Sequence, residues 1–373
     1  MNPCNPPHAK NVRIKRRYAQ YLEEAERMAP TSVDQALAAI AAFEASIGGR
    51  DFAKFRIEQA RRFKRQLDEH TNEKTGMPLA KSTIYARLMA VKRFVHWLAG
   101  QPGYKSKITY SDADYFNPSA NDGRIATATR ERPAPTIEQI RHVIETMPAG
   151  SDIEKRDRAV IAFILLTGAR DDAVASMRLK HVDVERRRVD QDAREVRTKN
   201  RKTFSSLFFP VGNDIEAIIA DWIAHLKETL LFGPDDPLFP ATKIGLKDGL
   251  FAPAGLDRTH WKNADSIRRI FRDGFAKAGL PYFNPHSVRK TLARLGETIC
   301  RSPEQFKAWS QNLGHDQVMT TFNSYGTVSG DRQSEIMEAL RGGSGIDGNG
   351  GAIDRETARQ MMTFLAAQMR KAG

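Results

Sequence analysis

Apolar residues recur every three or four positions through the first third of the chain. Leu37, Ile40, Phe43 and Ile47 keep that spacing from about Ser32, and Gly48-Gly49 stop it. Ile57, Ala60, Phe63 and Leu67 repeat it. Ile84, Leu88, Val91, Val95 and Leu98 repeat it again from Ser82 to Gly100. Residues 11–27 (NVRIKRRYAQYLEEAER) read as a helix that is first basic and then acidic. No strand-like alternation interrupts this series, so residues 1–116 are expected to form an all-helical domain. Residues 117–135 (NPSANDGRIATATRERPAP) lose the periodicity and read as a linker.

A second domain opens at Thr136, which forms a capping box with Gln139 for a helix ending near Pro148. VIAFILLTGAR predicts a core helix stopped by Gly168. The period then shortens: VDVERRRVD, REVRTK and FSSLFFPV read as short strands joined by turns at QD and NRK. Helices are expected again from Asn213 (Ile215, Ile218, Ile219, Trp222, Ile223, Leu226) and from Asp265 (Ile267, Ile270, Phe271, Phe275). Between them, 232–262 reads as a Gly- and Pro-rich loop. Beyond Leu340, GGSGIDGNGG at 342–351 is a flexible linker. Residues 354–371 predict a last amphipathic helix with Met361, Met362, Leu365 and Met369 on one face. That face has nothing local to cover it, so it is expected to dock on this subunit or on a neighbour.

Composition changes the picture in one direction. The 373 residues carry a net charge of +13, which points to a polyanionic partner, nucleic acid first among them. Arg13, Lys15, Arg16 and Arg17 on the first helix are candidates for phosphate contacts, or form a solvated face. Arg124, Arg130 and Arg132 suit a strap lying against DNA, or an ordinary tether. The two cysteines, Cys4 and Cys300, build neither a disulfide framework nor a Cys-rich zinc site. The N-terminal MNPCNPPHAKNVRIKRR lacks the apolar core of a signal peptide, and no run has the length of a membrane helix. A cytoplasmic protein is expected.

Four segments of the second domain carry polar groups that are costly to bury, and Tyr325 adds a fifth candidate. Arg170 emerges from a core helix after a glycine in LLTGAR and needs an anion. In NPHSVRK, His286 and Arg289 are three apart and share a helix face, able to hold two oxygens of one phosphate. His315 follows Gly314 in NLGHDQ. Lys199 sits where the second strand of the VRTKNRKTF hairpin meets its turn, with Lys202 across it. Tyr325 lies in a predicted helix at 316–325 whose Val318 and Phe322 face the core. Singly, each is ordinary: a salt-bridge arginine, a capping histidine, a solvated lysine, a core tyrosine. Together they are what metal-free phosphoryl transfer requires. Paired arginines stabilise a phosphorane, a His and a Lys move protons, and a Tyr hydroxyl makes a covalent phosphodiester.

In the order Arg, Lys, HxxR, LGH, Tyr, the segments LLTGAR, VRTK, NPHSVR, NLGH and TTFNSYG resemble the tyrosine recombinase (phage integrase) family. The implied fold is mainly α, a two-domain DNA clamp. It has an all-helical core-binding domain (1–116), an interdomain linker (117–135), and a mostly helical α/β catalytic domain with a small antiparallel sheet (136–342). A Gly-rich linker and C-terminal helix, able to pack on a neighbouring subunit, follow (343–373).

The resemblance also implies the chemistry. Tyr325 would attack the scissile phosphate and form a 3′-phosphotyrosine. Arg170 and Arg289 would clamp the non-bridging oxygens. Lys199, with Lys202 as the alternative, would protonate the leaving 5′ oxygen. His286 would take the tyrosine proton or orient the phosphate, and His315 would hydrogen-bond the phosphate. Strand exchange would pass through a Holliday junction in a tetramer on double-stranded recombination sites, with no cofactor and with accessory DNA-bending or directionality proteins as further partners. The family has an acidic residue three past its first arginine; here that position is Ala173, with Asp171 and Asp172 beside it. Two other readings share the residues: a type IB topoisomerase, and a non-catalytic DNA-binding relic.

Overall fold

The computed structural model describes residues 8–71, 76–128, 133–247 and 249–315. Its contacts divide the chain into two units, Met1–Thr129 and Arg130–Gly373. The predicted helix around Tyr325, the 354–371 helix, and Arg130 and Arg132 lie outside the described residues.

The first unit is helical as its periodicity requires: α1 (Ala9–Gln20), α2 (Pro30–Ser46), α3 (Ile57–Glu69), α4 (Lys81–Ala99) and α5 (Ala120–Thr127). The first four put their apolar stripes inward, with Ile14, Ile40, Phe43, Phe63, Leu67, Leu88, Val91 and Val95 all buried. Phe43 meets Phe63 and Phe116 edge-on at 5.3 and 5.2 Å between ring centres. Such pairs add roughly 0.5–1.5 kcal/mol to the burial of the rings. Asn11, wholly buried, donates to Glu44 Oε1 and Arg50 O and accepts from Phe52 N–H, so all its capacity is spent inside. The expected linker holds a helix instead. Ser119 caps α5, and Lys81 bridges Asp68 and Asp122 at 2.9 Å each. Propensity reading missed α5 because it has no buried residue and so no apolar stripe.

In the second unit α7 (Asp152–Thr167) is the central helix, buried from Ala159 to Thr167. Around it pack α6 (Ile137–Thr146), α9 (Asn213–Ala224), α10 (Asp265–Lys277) and α11 (Pro285–Ile299). The capping box of Thr136 and Gln139 opens α6 as the sequence indicates. The short α8 (Asp171–Val174) follows α7, and α12 (Pro303–Asn312) follows α11.

A three-stranded antiparallel sheet joins β1 (Val182–Asp183), β2 (Arg188–Gln191) and β3 (Phe204–Leu207). REVRTK is not one of its strands. The Asp192 carboxylate accepts from Arg194 N–H and the Asp192 carbonyl from Val196 N–H, so a local turn takes the groups a ladder would use. The expected loop at 232–262 contains a two-stranded hairpin, β4 (Ala241–Lys247) and β5 (Leu250–Asp257). Its alternation is hidden by Gly245, Pro253 and Gly255 and by a bulge between Thr242 and Ile244. Among the described residues no helix is long and apolar enough to cross a membrane.

Candidate active site

Two left-handed glycines deliver two of the candidate side chains. α7 runs through the core until Gly168, at φ +62°, closes it by donating to Ile164 O. A side chain at Gly168 would meet Leu313 Cδ2 at 2.9 Å and Leu292 Cδ1 at 3.1 Å. Glycine is thus required both for the turn and for the packing. The chain leaves this turn as Arg170, the half-buried residue before α8. Likewise α12 is followed by Gly314, at φ +70°, with His315 N–H returning to Ser310 O. The ring of Phe204 lies where a side chain on Gly314 would go. α12 is held in place by Trp309, which donates to Leu292 O at 2.9 Å and fills the space over Gly296. Asn312 bonds both backbone groups of Leu207, so it covers the outer edge of β3.

α11 supplies the other pair. The Asn284 side chain accepts from Ser287 N–H and Pro285 occupies the first turn, so the helix starts where the HxxR spacing needs it. Arg289 is 5% exposed. It donates to Gly168 O and to Leu313 O, and its Nη2 lies 3.0 Å from His315 Nε2. Burial and then the charge of Arg170 bring Arg289 down to about 9, which leaves it protonated at neutral pH. The Arg289–His315 contact takes His315 as the acceptor and hence as a neutral ring. The electrostatics agree. Burial first, then the charges of Arg289, Arg170, His286 and Lys202, lower His315 to about 4. His286, open to solvent on one side, is lowered by desolvation and by Arg289, Arg170 and Lys199, with Asp171 opposing.

Lys199 stands at the start of a tight turn (Lys199–Arg201), not at a strand end, and Asn200 takes φ +57° there. It is exposed, and its charge reaches His286. Lys202 lies over the Phe204 ring at 5.8 Å, beside Gly314, and its charge reaches His315. Both lysines therefore flank the Arg170–His286–Arg289–His315 group, one near each histidine. The group concentrates positive charge beside two histidines whose titration is lowered by it, an arrangement able to hold an anion.

The position of the absent acid is explained by packing. Ala173 is buried in the apolar core, where a carboxylate would be stranded. Asp171 instead pairs with Arg268 Nε at 3.0 Å, and Asp172 with Arg197 Nε at 3.0 Å. Neither Arg268 nor Arg197 stands out in the sequence. Arg197 is signalled only by its place two residues before Lys199.

Of the basic residues on α1, Arg13, Arg16 and Arg17 are exposed, whereas Lys15 is spent on Glu44, whose side chain is 6% exposed. Arg124 lies on α5. Among the described residues no group of three or more His, Cys, Asp or Glu is placed to hold a metal.

Comparison with known proteins gives the same direction. A family model described as "Phage integrase family" matches residues 134–331. No curated protein sequence matches the chain. Among solved structures, a lambda integrase dimer bound to a COC′ core site is 12% identical, covering 92% of this chain and 99% of that one, with a TM-score of 0.56. The XerH site-specific recombinase, bound to a palindromic difH substrate in a post-cleavage complex, is 13% identical over 91% of each chain, TM-score 0.54. The Tn1549 transposon integrase in complex with transposon right end DNA is 15% identical, covering 88% and 99%, TM-score 0.53. At these identities the likeness is one of fold: mainly helical, two-domain, with small antiparallel sheets.

Proposed function

The chain belongs to the phage integrase family, and from that premise we propose that it is a site-specific DNA recombinase that breaks and rejoins strands through Tyr325. The observation that carries this reading is the contact of Arg289 with His315, together with the charges of Arg170, Arg289, Lys199 and Lys202 that act on His286 and His315.

In this reading Tyr325 Oη attacks the scissile phosphorus and His286 takes its proton. Arg170 and Arg289 hold the non-bridging oxygens as negative charge grows on the phosphorane. His315 adds a hydrogen bond to the same oxygens. The bond from phosphorus to the 5′ oxygen breaks, and Lys199 gives that oxygen a proton; Lys202 is the second candidate. One phosphodiester has been exchanged for another, so the bond energy is kept in the 3′-phosphotyrosine. Attack by the 5′-hydroxyl of another strand reverses these steps and passes the DNA through a Holliday junction. The arrangement proposed around the DNA is a tetramer, with residues 1–116 as core-binding domain, 136–342 as catalytic domain and 343–373 engaging a neighbouring subunit. Arg13, Arg16, Arg17 and Arg124, with Arg130 and Arg132, are proposed to meet phosphates.

The test is covalent trapping. Wild-type and Tyr325→Phe proteins are mixed with nicked duplexes from the flanks of the protein's own gene, from which the cleaved end diffuses away. An adduct that survives denaturation with wild type only is expected. An adduct with both moves the nucleophile elsewhere. Specific binding without an adduct in either supports the relic reading, and relaxation of plasmid lacking a recombination site supports a topoisomerase.

A further inference from the structure

The turn bearing Lys199 is part of a long connection between β2 and β3, and little within it would keep an exposed lysine still. Residues 192–203 lie outside the sheet, and Asn200 and Arg201 both take positive φ. Yet just before the turn the chain is held by Glu195, bonded to Lys180 and His181, by the buried Val196, and by Arg197. Arg197 N–H donates to Ser176 Oγ at 2.8 Å, and Ser176 Oγ donates in turn to Ala173 O at 3.0 Å. The Arg197 side chain then reaches two further anchors: Nε to Asp172 Oδ1 at 3.0 Å and Nη2 to Trp261 O at 3.1 Å.

These anchors are themselves rigid. Asp172 belongs to α8, directly after Arg170, and Ser176 follows the same helix. Trp261 is 6% exposed and lies 5.1 Å under the guanidinium of Arg156. Arg156, buried, donates to Pro240 O and Thr242 Oγ1. Three bonds from one residue thus hold the Lys199 turn: one to Asp172 on the helix that begins beside Arg170, one to Ser176 just past that helix, and one to Trp261.

We propose that Arg197 is a positioning residue for the proton donor Lys199, and that the Asp172–Arg197 pair takes the supporting place left open by Ala173. The assignment rests on the recombinase reading above. As an exposed ion pair, Asp172–Arg197 contributes little to stability. Its value is geometric, since Lys199 must meet the leaving oxygen within hydrogen-bond reach and misplacement by about 1 Å costs roughly 10²-fold in rate. In this role Arg197 acts through its Nε and Nη2 bonds to Asp172 and Trp261, and an unchanged salt dependence of DNA binding in Arg197→Ala separates it from a phosphate contact.

The experiment compares wild type, Arg197→Ala and Asp172→Asn on two nicked duplexes. One carries an ordinary scissile phosphate; the other has sulfur in place of the bridging 5′ oxygen, and its thiolate leaves without a proton. On the oxygen substrate both variants should form the covalent adduct more slowly, Arg197→Ala by roughly 10²-fold, with DNA affinity and its salt dependence unchanged. On the sulfur substrate both should return to the wild-type rate. An equal defect on both substrates, or no defect on either, overturns the proposal, as does a loss of affinity that accounts for the slowing. If wild type itself forms no adduct on either substrate while binding them specifically, the recombinase reading fails and this one with it. Asp172→Asn, isosteric and on a half-exposed side chain, keeps the result readable if Arg197→Ala folds poorly.

Discussion

The guanidinium of Arg289 donates to the carbonyl oxygen of Gly168, 121 residues earlier in the chain. It also donates to Leu313 O. One buried side chain therefore ties the turn that delivers Arg170 to the turn that delivers His315. Truncation by Arg289→Ala leaves both carbonyls without this donor, and each buried acceptor left unpaired costs roughly 1–3 kcal/mol. Arg289→Ala should therefore lose stability as well as DNA cleavage. Arg289→Lys keeps the charge but not the planar fork, so it should fall between the two. Urea unfolding of the three proteins checks this; an alanine variant as stable as wild type would mean that the two turns stand without the arginine.

The same two turns predict a ranking among glycines. Gly168→Ala meets both penalties, a left-handed φ of +62° and a contact at 2.9 Å with Leu313 Cδ2. Gly314→Ala does so against Phe204 Cζ at 2.7 Å. Gly103→Ala, at φ +86° with nothing within 4 Å, meets only the first. The conformational part is about 1–2 kcal/mol and the overpacking part about 1–3. Thermal melts should place Gly168→Ala and Gly314→Ala clearly below Gly103→Ala, and equal losses at all three would remove the packing argument.

What was legible in the sequence was local. The helix stripes, the capping box at Thr136, the stop at Gly168 and the shared face of His286 and Arg289 all follow from spacing within one turn or two. The Lys199 segment was misread because Asp192 closes a turn where alternation suggested a strand. The β4–β5 hairpin was misread because glycines, a proline and a bulge disguise its period. α12, which carries the LGH turn at its end, was not foreseen. The convergence of the site was visible only through the family resemblance, because the contacts that create it join positions far apart: Arg289 with Gly168 and Leu313, Asp172 with Arg197. That Ala173 lies in the core also had to come from packing, since spacing alone does not show which side of this short helix is covered.

The two histidines set a pH dependence whose sign can be worked out. An unfolded His titrates near 6.5, and His315 in the fold near 4, with His286 also lowered. Between those values the unfolded chain binds a proton that the folded chain refuses. Stability from this source is thus fully present above about pH 6.5 and is lost as pH falls toward 4. Denaturant midpoints at pH 7 and pH 5 should differ by less in His315→Gln than in wild type. A phosphate at the site reverses the preference by favouring the charged ring. DNA binding in the same window should then take up protons and strengthen as pH falls, and a calorimetric titration in two buffers of different ionisation enthalpy reads that uptake.

The basic face of α1 separates binding from folding. Lys15 Nζ bonds the carboxylate of Glu44, which is also held by Asn11 and is 6% exposed. Arg16, one residue on, is exposed. Lys15→Ala should therefore lower the melting temperature of the protein by leaving a buried carboxylate short of its cation. Its effect on the salt dependence of DNA binding should be small. Arg16→Ala should leave the melt unchanged and reduce the slope of log K against log salt by roughly 0.9, the loss of one phosphate contact. Melts together with DNA titrations across a range of salt distinguish the two. If both substitutions shift the slope and neither shifts the melt, Lys15 belongs to the DNA face after all and the Glu44 pair is not what holds it.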